Sequence, residues 1–212
     1  MYNDITGFIL AGGKSTRMGT NKSLLKIGEH KVIELVEKLM KDLFRKVILI
    51  TNQQEDYSFL NLPIYEDIYK NMGPLAGIHS ALMHTTTEKN FIISCDIPLM
   101  TAGVIKYIVE YPTEKPIIIT KADNFIQQLC GIYSRSLVPV IEKIIIKDNK
   151  VTDERNPDQK KRGCRVLHLV KSTDSEIIDI EREYHDYKAG TFYNMNRPEE
   201  YNFIKSILLR EL

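Results

Sequence analysis

The feature that most constrains this chain is a short apolar run that ends in two glycines. The run Ile5–Leu10 leads through Ala11 directly into Gly12 and Gly13. Runs of this length followed by glycine are typical of buried strands. Glycines at a strand end let the backbone approach a ligand closely, and the free N–H groups of the turn bind phosphate oxygens. The sequence therefore predicts a phosphate site at the carboxyl end of the first strand.

Two basic residues follow the glycines in a polar stretch. Arg17 offers a planar fork of donors and Lys22 a point charge, and both suit a polyphosphate. This stretch predicts a nucleoside triphosphate bound beyond the first strand. It is not a Walker A loop, because Phe8 stands where that motif needs a glycine, and the dinucleotide fingerprint G-x-G-x-x-G is also missing. A flexible Gly-Gly turn between a strand and a helix is the alternative that these residues leave open.

Helical and strand-like segments alternate along the chain. Apolar residues recur at helical spacing from Val32 to Leu43, and a second buried strand spans Val47–Ile50. Strand, helix and strand in this order form a βαβ unit, which implies parallel strands and a right-handed crossover. Similar signals predict strands at Phe91–Ser94, Pro116–Thr120, Phe125–Tyr133 and Val166–Val170, and helices near residues 74–84, 101–111, 134–146 and 198–208. We expect an α/β fold with a mostly parallel sheet.

Polar residues follow two of the predicted strands. Ligands in such sheets bind beyond the carboxyl ends of the strands, where Asn52 and Asp96 lie. An amide both donates and accepts, which suits a base or ribose edge. A carboxylate suits Mg²⁺, a hard ion that takes oxygen ligands and bridges phosphates. Taken singly, both residues are also ordinary turn formers.

Two predicted helix starts carry further candidates. Pro74 suits the first helical position, whereas Gly77 weakens the first turn without a local reason, which a nearby ligand would supply. A plain Gly-Pro break is the alternative. Farther along, Asn194 and Asn196 precede Pro198 and two glutamates, a pattern that by itself indicates a helix start.

Residues 147–165 are rich in charge and nearly free of apolar side chains. A solvated, mobile loop is the interpretation that this composition favours. The alternative is a basic flap that grips the phosphate of a second substrate.

Composition excludes several classes of protein. The net charge of +1 gives no reason to expect bulk binding of nucleic acid. No apolar run reaches the roughly 18 residues of a membrane span, and the N-terminal residues do not resemble a signal peptide. The three cysteines, Cys95, Cys130 and Cys164, fit neither a disulfide framework nor a zinc site. We therefore expect a cytoplasmic protein.

Four segments together resemble the molybdenum cofactor guanylyltransferase (MobA) family. Leu10–Lys22 is similar to the family signature L-A-G-G-x-S-x-R-M-G-x-x-K. Residues 73–78, 95–98 and 192–200 resemble G-P-L-A-G-[IM], C-D-x-P and F-x-N-[IV]-N-T-P-E-[DE], in the family's order. Arg197 replaces the threonine of the last motif and removes a hydroxyl that would cap the helix.

The resemblance implies a fold and an activity. The fold is a single α/β domain over residues 1–212, with the Rossmann-like nucleotidyltransferase architecture, a nucleotide half near 1–100 and an acceptor half near 101–212. The activity is transfer of GMP from GTP to the phosphate of molybdenum-bound molybdopterin, with Mg²⁺ as cofactor and pyrophosphate as the second product. GTP and molybdopterin are the expected partners, with transient contact to enzymes that deliver molybdopterin or accept the product.

The resemblance also implies the roles of single residues. Arg17, Lys22 and Asp96 are the expected catalytic residues. The expected nucleotide-binding residues are Leu10, Ala11, Gly12, Gly13, Lys22, Asn52, Asp67, Gly77 and Asp96. Asp96 and Asn196 are the expected metal ligands, with Asn194 close by. For the position of Asp67, the motif spacing leaves Glu66 open as well.

Other functions stay open at this point. A related transferase would use CTP on the same cofactor or act on a sugar phosphate, and the segment at 73–78 argues against the sugar-phosphate group. A regulatory module that binds a nucleotide without turnover is a different class, and the presence of both Lys22 and Asp96 argues against it. The choice of guanine over cytosine rests on the resemblance alone.

Overall fold

A computed structural model of the protein describes residues 1–12, 21–155 and 166–211. Its strands are Tyr2–Leu10 (β1), Lys26–Ile27 (β2), His30–Lys31 (β3), Phe44–Ile50 (β4), Ile64–Tyr65 (β5), Lys89–Ser94 (β6), Ile117–Ala122 (β7), Phe125–Ser134 (β8) and Ser175–Asp179 (β9). Its α-helices are Val32–Leu43 (α1), Pro74–Met83 (α2), Ala102–Val109 (α3), Val138–Arg155 (α4), Val166–Ser172 (α5), Ile180–Glu183 (α6) and Pro198–Glu211 (α7). Short 3₁₀ turns span Lys22–Leu24, Gln54–Tyr57 and Arg135–Leu137.

Within the described ranges, seven strands form one sheet in the order β5-β4-β1-β6-β8-β7-β9. The pairs of β1 with β4, β1 with β6, β4 with β5 and β7 with β9 are parallel. Strand β8 is antiparallel to both of its neighbours. The reason is local: β7 and β8 are joined by Asp123 and Asn124, both at positive φ, and so short a turn reverses the chain. The predicted α/β fold with a mostly parallel sheet is confirmed.

The register of the central strands places their carboxyl ends side by side. Leu10 at the end of β1 is paired with Ile50 of β4 and with Ser94 of β6. The backbone N–H of Ala11 donates to the carbonyl of Ile50 at 3.0 Å, which continues the pairing beyond the strand. The polar residues that follow these three strands therefore meet at one edge of the sheet.

Helices cover both faces of the sheet, because its central strands are apolar on both sides. On one face, Ile9 and Ile93 pack in a core cluster with residues of α1 and α3. On the other face, Phe8 and Ile92 pack in a second cluster with residues of α2, α4 and α5. Helix α2 is apolar nearly all round, and the eight residues from Leu75 to Leu82 are all buried, so it is held between the sheet and α4.

The prediction of a strand at Val166–Val170 is wrong. The segment forms helix α5, and its buried residues Val166, Leu169 and Val170 follow helical spacing. A short apolar run does not distinguish a strand from a buried helix, because the two differ only in which neighbours cover it.

The predicted loop at 147–165 is also partly wrong. Helix α4 continues to Arg155, beyond the expected end near residue 146. Ile145 is the last buried residue among the α4 side chains that the structure describes. No glycine or proline interrupts the chain between it and Pro157, so the mostly polar continuation stays helical. Residues 156–165, with Cys164, lie outside the described residues. None of the described helices combines the length and the hydropathy that a membrane crossing requires.

Gly131 tests how closely the sheet is packed at β8. A Cβ atom at this position would lie 2.3 Å from the carbonyl oxygen of Ile118 and 2.7 Å from the side chain of Ile119. We expect Gly131→Ala to lower the free energy of unfolding by about 3 kcal/mol or more, since overpacking costs 1–3 kcal/mol even where flexible side chains yield. Urea unfolding measures this loss of stability. Gly12→Ala is the control, because a Cβ there meets none of the described residues within 4 Å. Equal losses in the two variants would contradict the prediction.

Candidate active site

The ammonium group of Lys22 is the centre of a cluster at the carboxyl edge of the sheet. Asn21 caps the 3₁₀ turn that carries Lys22, and its side chain accepts a hydrogen bond from the backbone N–H of Ser23. From this turn, Nζ of Lys22 lies 2.5 Å from Oδ2 of Asp96 and 2.7 Å from Oδ1 of Asn196. The side chains of Lys22 and Asp96 are only 17% and 15% exposed, so water screens their attraction less than at an open surface.

Asp96 is held from two further directions. The hydroxyl of Ser94, the last residue of β6, donates to Oδ1 of Asp96 at 2.5 Å. The backbone carbonyl of Asp96 accepts a hydrogen bond from the N–H of Met195 at 2.9 Å. Both carboxylate oxygens therefore have a donor, and the segment before α7 is tied to the end of β6.

Asn196 is positioned by the start of helix α7. Oε2 of Glu200 accepts hydrogen bonds from the backbone N–H groups of Asn196 at 2.6 Å and Arg197 at 2.9 Å. A glutamate three residues into a helix that accepts from the cap backbone is half of a capping box. Glu200 thus caps a helix whose cap residue, Arg197, has no hydroxyl to do so.

A cavity of about 470 Å³ opens between the ends of β1 and β4 and the start of α2. Its walls contain the expected residues Leu10, Ala11, Gly12, Asn52, Asp67 and Gly77, together with Ile50, Thr51, Gln53, Asn71, Gly73, Pro74, Ser94 and Leu129. Its size suits a small-molecule ligand such as a nucleotide. We call it the first cavity.

Asn52 and Asp67 form a reciprocal pair on the wall of the first cavity. Nδ2 of Asn52 donates to Oδ2 of Asp67 at 2.7 Å, and the backbone N–H of Asp67 donates to Oδ1 of Asn52 at 3.1 Å. None of the hydrogen bonds among the described residues uses Oδ1 of Asp67. Burial raises the pKa of Asp67, while the hydrogen bond from Asn52 and the charge of Lys70 oppose that shift.

Two glycines shape the mouth of the first cavity. Gly73 caps α2 with φ of 75° and ψ of −167°, a conformation that is nearly restricted to glycine. At Gly77, an added Cβ would meet Oδ1 of Asp67 at 3.6 Å, an ordinary contact. The absence of a side chain at Gly77 therefore keeps Oδ1 of Asp67 open to the cavity and is not needed to avoid a clash.

A second cavity of about 460 Å³ lies on the far side of Ser94. It shares Pro74, Ser94 and Leu129 with the first cavity, and Asp96 and Asn194 lie on its wall. Its other lining residues are Ile97, Ile126, Gln127, Gln128, Cys130, Val166 and Leu167. The two cavities therefore meet next to the carboxylate of Asp96.

The structure brings most of the expected site residues together. Lys22, Asp96 and Asn196 form the cluster, and six expected nucleotide contacts line the first cavity. Asn194 lines the second cavity together with Asp96, and its side chain donates to the carbonyl of Phe192. Between the two acidic candidates, Asp67 faces the first cavity, whereas Glu66 pairs with Lys70 at the surface. Gly13 and Arg17 lie outside the described residues.

Sequence reasoning missed two residues at the junction of the cavities. In the sequence, Ser94 is simply the last residue of one predicted strand, and Leu129 lies inside another predicted strand. For Ser94, the spacing Ser-x-Asp before Pro98 was an available signal, because a hydroxyl two residues before a carboxylate can hydrogen-bond to it. For Leu129, the only signal was that Gln127–Tyr133 resembles a segment on the substrate side of the MobA family. The pairing of β8 with β6 brings Leu129 itself to the junction.

The donor set of the cluster suits a hard cation. A carboxylate oxygen and an amide oxygen both lie within 2.7 Å of one positively charged atom, the type of oxygen ligand that Mg²⁺ takes. Among the described residues, no three His, Cys, Asp or Glu side chains gather into a metal site. A cation here would therefore need further ligands from phosphates and water, as is usual for Mg²⁺.

Comparison with known proteins identifies the family. A family model described as the MobA-like NTP transferase domain matches residues 7–157. The chain belongs to this family. It is 40% identical to a protein from Carboxydothermus hydrogenoformans named probable molybdenum cofactor guanylyltransferase, over 98% of this chain and 99% of that protein. The resemblance seen in the sequence is confirmed, and the protein is a nucleotidyltransferase.

Solved structures agree on the fold. A putative protein from Aquifex aeolicus is 32% identical and superposes with a TM-score of 0.71, covering 90% of this chain and 92% of that one. Molybdopterin-guanine dinucleotide biosynthesis protein A from Archaeoglobus fulgidus is 19% identical and superposes with a TM-score of 0.79, covering 97% and 100%. The predicted single-domain Rossmann-like nucleotidyltransferase fold is confirmed.

Glu200 and Glu199 offer a matched test of how α7 holds Asn196. Both lie in the first turn of the helix, but only Glu200 accepts hydrogen bonds from the cap backbone. We expect Glu200→Ala to lower the free energy of unfolding by about 0.5–2 kcal/mol, the usual cost of losing a cap. Glu199→Ala should cost less, since it removes charge alone. Urea unfolding of both variants measures the two losses of stability. Equal losses would contradict the assignment of Glu200 as the cap of α7.

Proposed function

We propose that the protein transfers GMP from GTP to the terminal phosphate of molybdenum-bound molybdopterin, forming molybdopterin guanine dinucleotide and pyrophosphate. The observation that carries this proposal is the meeting of two cavities at Ser94, beside the pair of Lys22 and Asp96. A transferase needs two substrates with the reacting phosphate between them. Family membership and the name of the relative from Carboxydothermus hydrogenoformans support the choice of substrates.

The first cavity would bind GTP, with Asp67 reading the base. Guanine presents adjacent N1–H and N2–H donors, and a carboxylate accepts both. Cytosine presents a single donor, at N4, beside acceptors at N3 and O2, so a carboxylate would gain one hydrogen bond and face a repulsive acceptor next to it. Asn52 holds Oδ2 of Asp67, so the carboxylate keeps its orientation toward the cavity. This geometry supports GTP over CTP on physical grounds, where the sequence offered only the resemblance.

The triphosphate would extend from the base toward Gly12 and the cluster. The backbone N–H of Gly12 and the ammonium of Lys22 would supply positive potential to the phosphates. The roles of Gly13 in nucleotide binding and of Arg17 in catalysis stay predictions. The division into a nucleotide half near 1–100 and an acceptor half near 101–212 fits the first cavity broadly, although Leu129 from β8 also lines it.

The second cavity would bind molybdopterin. Gln127, Gln128 and Asn194 line it with amide groups that both donate and accept, which suits the edge of a pterin ring. Its position next to Asp96 would bring the acceptor phosphate to the α-phosphate of GTP. Transient contact with enzymes that deliver molybdopterin or accept the product also stays a prediction.

The chemistry that these residues support is positioning and charge neutralisation. A phosphate nucleophile is already ionised at neutral pH, so no general base is required. Burial raises the pKa of Cys95 to about 12, and burial likewise raises the pKa of Cys130, so neither thiol supplies a thiolate nucleophile. Asp96 and Asn196 would hold Mg²⁺, which would neutralise negative charge on the phosphates. The buried free thiols suit a reducing compartment, and we place the reaction in the cytoplasm.

The pair Asp67 and Glu66 tests the choice of base. We expect Asp67→Asn to weaken GTP binding by about 10- to 100-fold, because a bidentate contact with a base contributes about 1–3 kcal/mol. Glu66→Gln, which removes a surface ion pair, should leave the affinity unchanged. Titration calorimetry with GTP and CTP measures both. In the wild type, GTP binding should weaken at mildly acidic pH, above the range of an ordinary aspartate, since burial raises the pKa of Asp67.

A preference of the wild type for CTP would overturn the assignment of GTP. It would keep the fold and the proposed chemistry and make the protein a cytidylyltransferase. Binding of neither nucleotide would overturn the assignment of the first cavity.

Substitution of Asp96 tests whether the proposed site catalyses the transfer. We expect Asp96→Ala to fold normally and to release pyrophosphate from GTP at least about 10²-fold more slowly with molybdopterin and Mg²⁺ present, the usual loss when one charge-stabilising group is removed. Asp186→Ala is the control, because that side chain is 78% exposed and lines neither cavity. If Asp96→Ala released pyrophosphate at the full rate, the assignment of Asp96 to the active site would be overturned. Absence of pyrophosphate release in the wild type would favour a regulatory module.

A further inference from the structure

The contacts of Lys22 suggest a role beyond binding phosphate. Its ammonium touches the same two side chains, Asp96 and Asn196, that the proposed function assigns to the metal ion. Two cations cannot occupy one pair of oxygen atoms, because like charges at such distances repel strongly in a partly buried site. Lys22 and a divalent cation are therefore alternative occupants.

The cluster joins segments that are far apart in the chain. Lys22 is 74 residues from Asp96 and 174 residues from Asn196. The hydrogen bond from the N–H of Met195 to the carbonyl of Asp96 ties the two backbone segments together. The side-chain oxygens of Asp96 and Asn196 are both negatively polarised and repel each other, so these two side chains need a shared positive partner to converge. In the present structure that partner is Lys22.

Ser94 makes an exchange of cations feasible. Its hydroxyl donates to Oδ1 of Asp96, whereas Lys22 contacts Oδ2. If the ammonium leaves, Ser94 still holds the carboxylate by the other oxygen. One oxygen of Asp96 is thus kept in place while the other changes its partner.

We propose that Lys22 is a positioning residue that stands in for the divalent cation, holding Asp96 and Asn196 together until the cation arrives with the nucleotide and draws the ammonium onto the phosphates. This inference rests on the proposed function of the site. It implies an order of binding: the nucleotide-free protein binds a divalent cation weakly, because the ligands are already occupied. The phosphates then supply both the remaining ligands of the cation and a new partner for Lys22.

Binding of Mn²⁺ to the nucleotide-free protein tests the inference. The fraction of free Mn²⁺ is measured by electron paramagnetic resonance for the wild type and Lys22→Met. We expect Lys22→Met to bind Mn²⁺ at least about tenfold more tightly, because apparent affinity falls with the fraction of molecules in which a site is open. The double variant Lys22→Met/Asp96→Ala should lose the gain. Lys41→Met removes a lysine that pairs with Glu37 on α1, outside the site, and should bind like the wild type.

A second readout separates this role from a merely structural one. In Lys22→Met without metal, backbone hydrogen exchange of residues 192–197 should rise, since Asn196 has lost its partner. Addition of Mn²⁺ should restore the protection. A loss of protection that Mn²⁺ does not restore would overturn the inference. If Lys22→Met does not fold, Lys22→Gln serves in its place, because its amide still hydrogen-bonds to oxygen without supplying charge.

The outcomes distinguish this inference from the proposed function. Equal Mn²⁺ affinity of the wild type and Lys22→Met would overturn the inference and leave the function standing, provided that Asp96→Ala is inactive. A gain that persists in the double variant would also overturn it, since the cation would then lie elsewhere. Full activity of Asp96→Ala would remove the proposed metal site and the inference together.

Discussion

The in-register parallel pairing of β1 with β4 and β6 is the constraint on which the rest of the structure depends. It places Leu10, Ile50 and Ser94 side by side, and the residues after them share one edge. Each of these strands is apolar on both faces, so the sheet needs a helical layer on each side. The helices that connect the parallel strands supply those layers. They return the chain to the start of the next strand, so that these strands all end at the same edge of the sheet. The first cavity and the position of Asp96 both follow from that arrangement.

The cluster of Lys22, Asp96 and Asn196 adds a link that the sheet does not provide. Partly buried ions are costly to remove from water, and such a pair contributes to stability only when both partners are well placed. Here the capped turn at Asn21, the hydroxyl of Ser94 and the cap at Glu200 hold the three groups. The arrangement is therefore a weak source of stability, and it is consistent with the cation site that we propose.

In the function that we propose, each of the two cavities binds one substrate of the transferase. Each is about the volume of a small-molecule site, and they meet where a carboxylate and an ammonium lie together. Because two ionised phosphates repel each other, bringing them close requires positive charge at the meeting point. The junction offers that charge from Lys22 in the present structure.

The sequence by itself determined the parts of this protein that depend on local pattern. The apolar runs predicted β1, β4 and β6, and helical spacing predicted α1, because burial on one or two faces leaves a direct periodic trace. The motifs identified Lys22, Asn52, Asp67, Asp96 and Asn196 as candidates. Only the tertiary structure decided that Val166–Ser172 is a helix and that Ser94 and Leu129 separate two cavities. It also decided that Lys22 covers the expected metal ligands, since contacts across 74 and 174 residues depend on strand register and on the docking of α7, which no local pattern records.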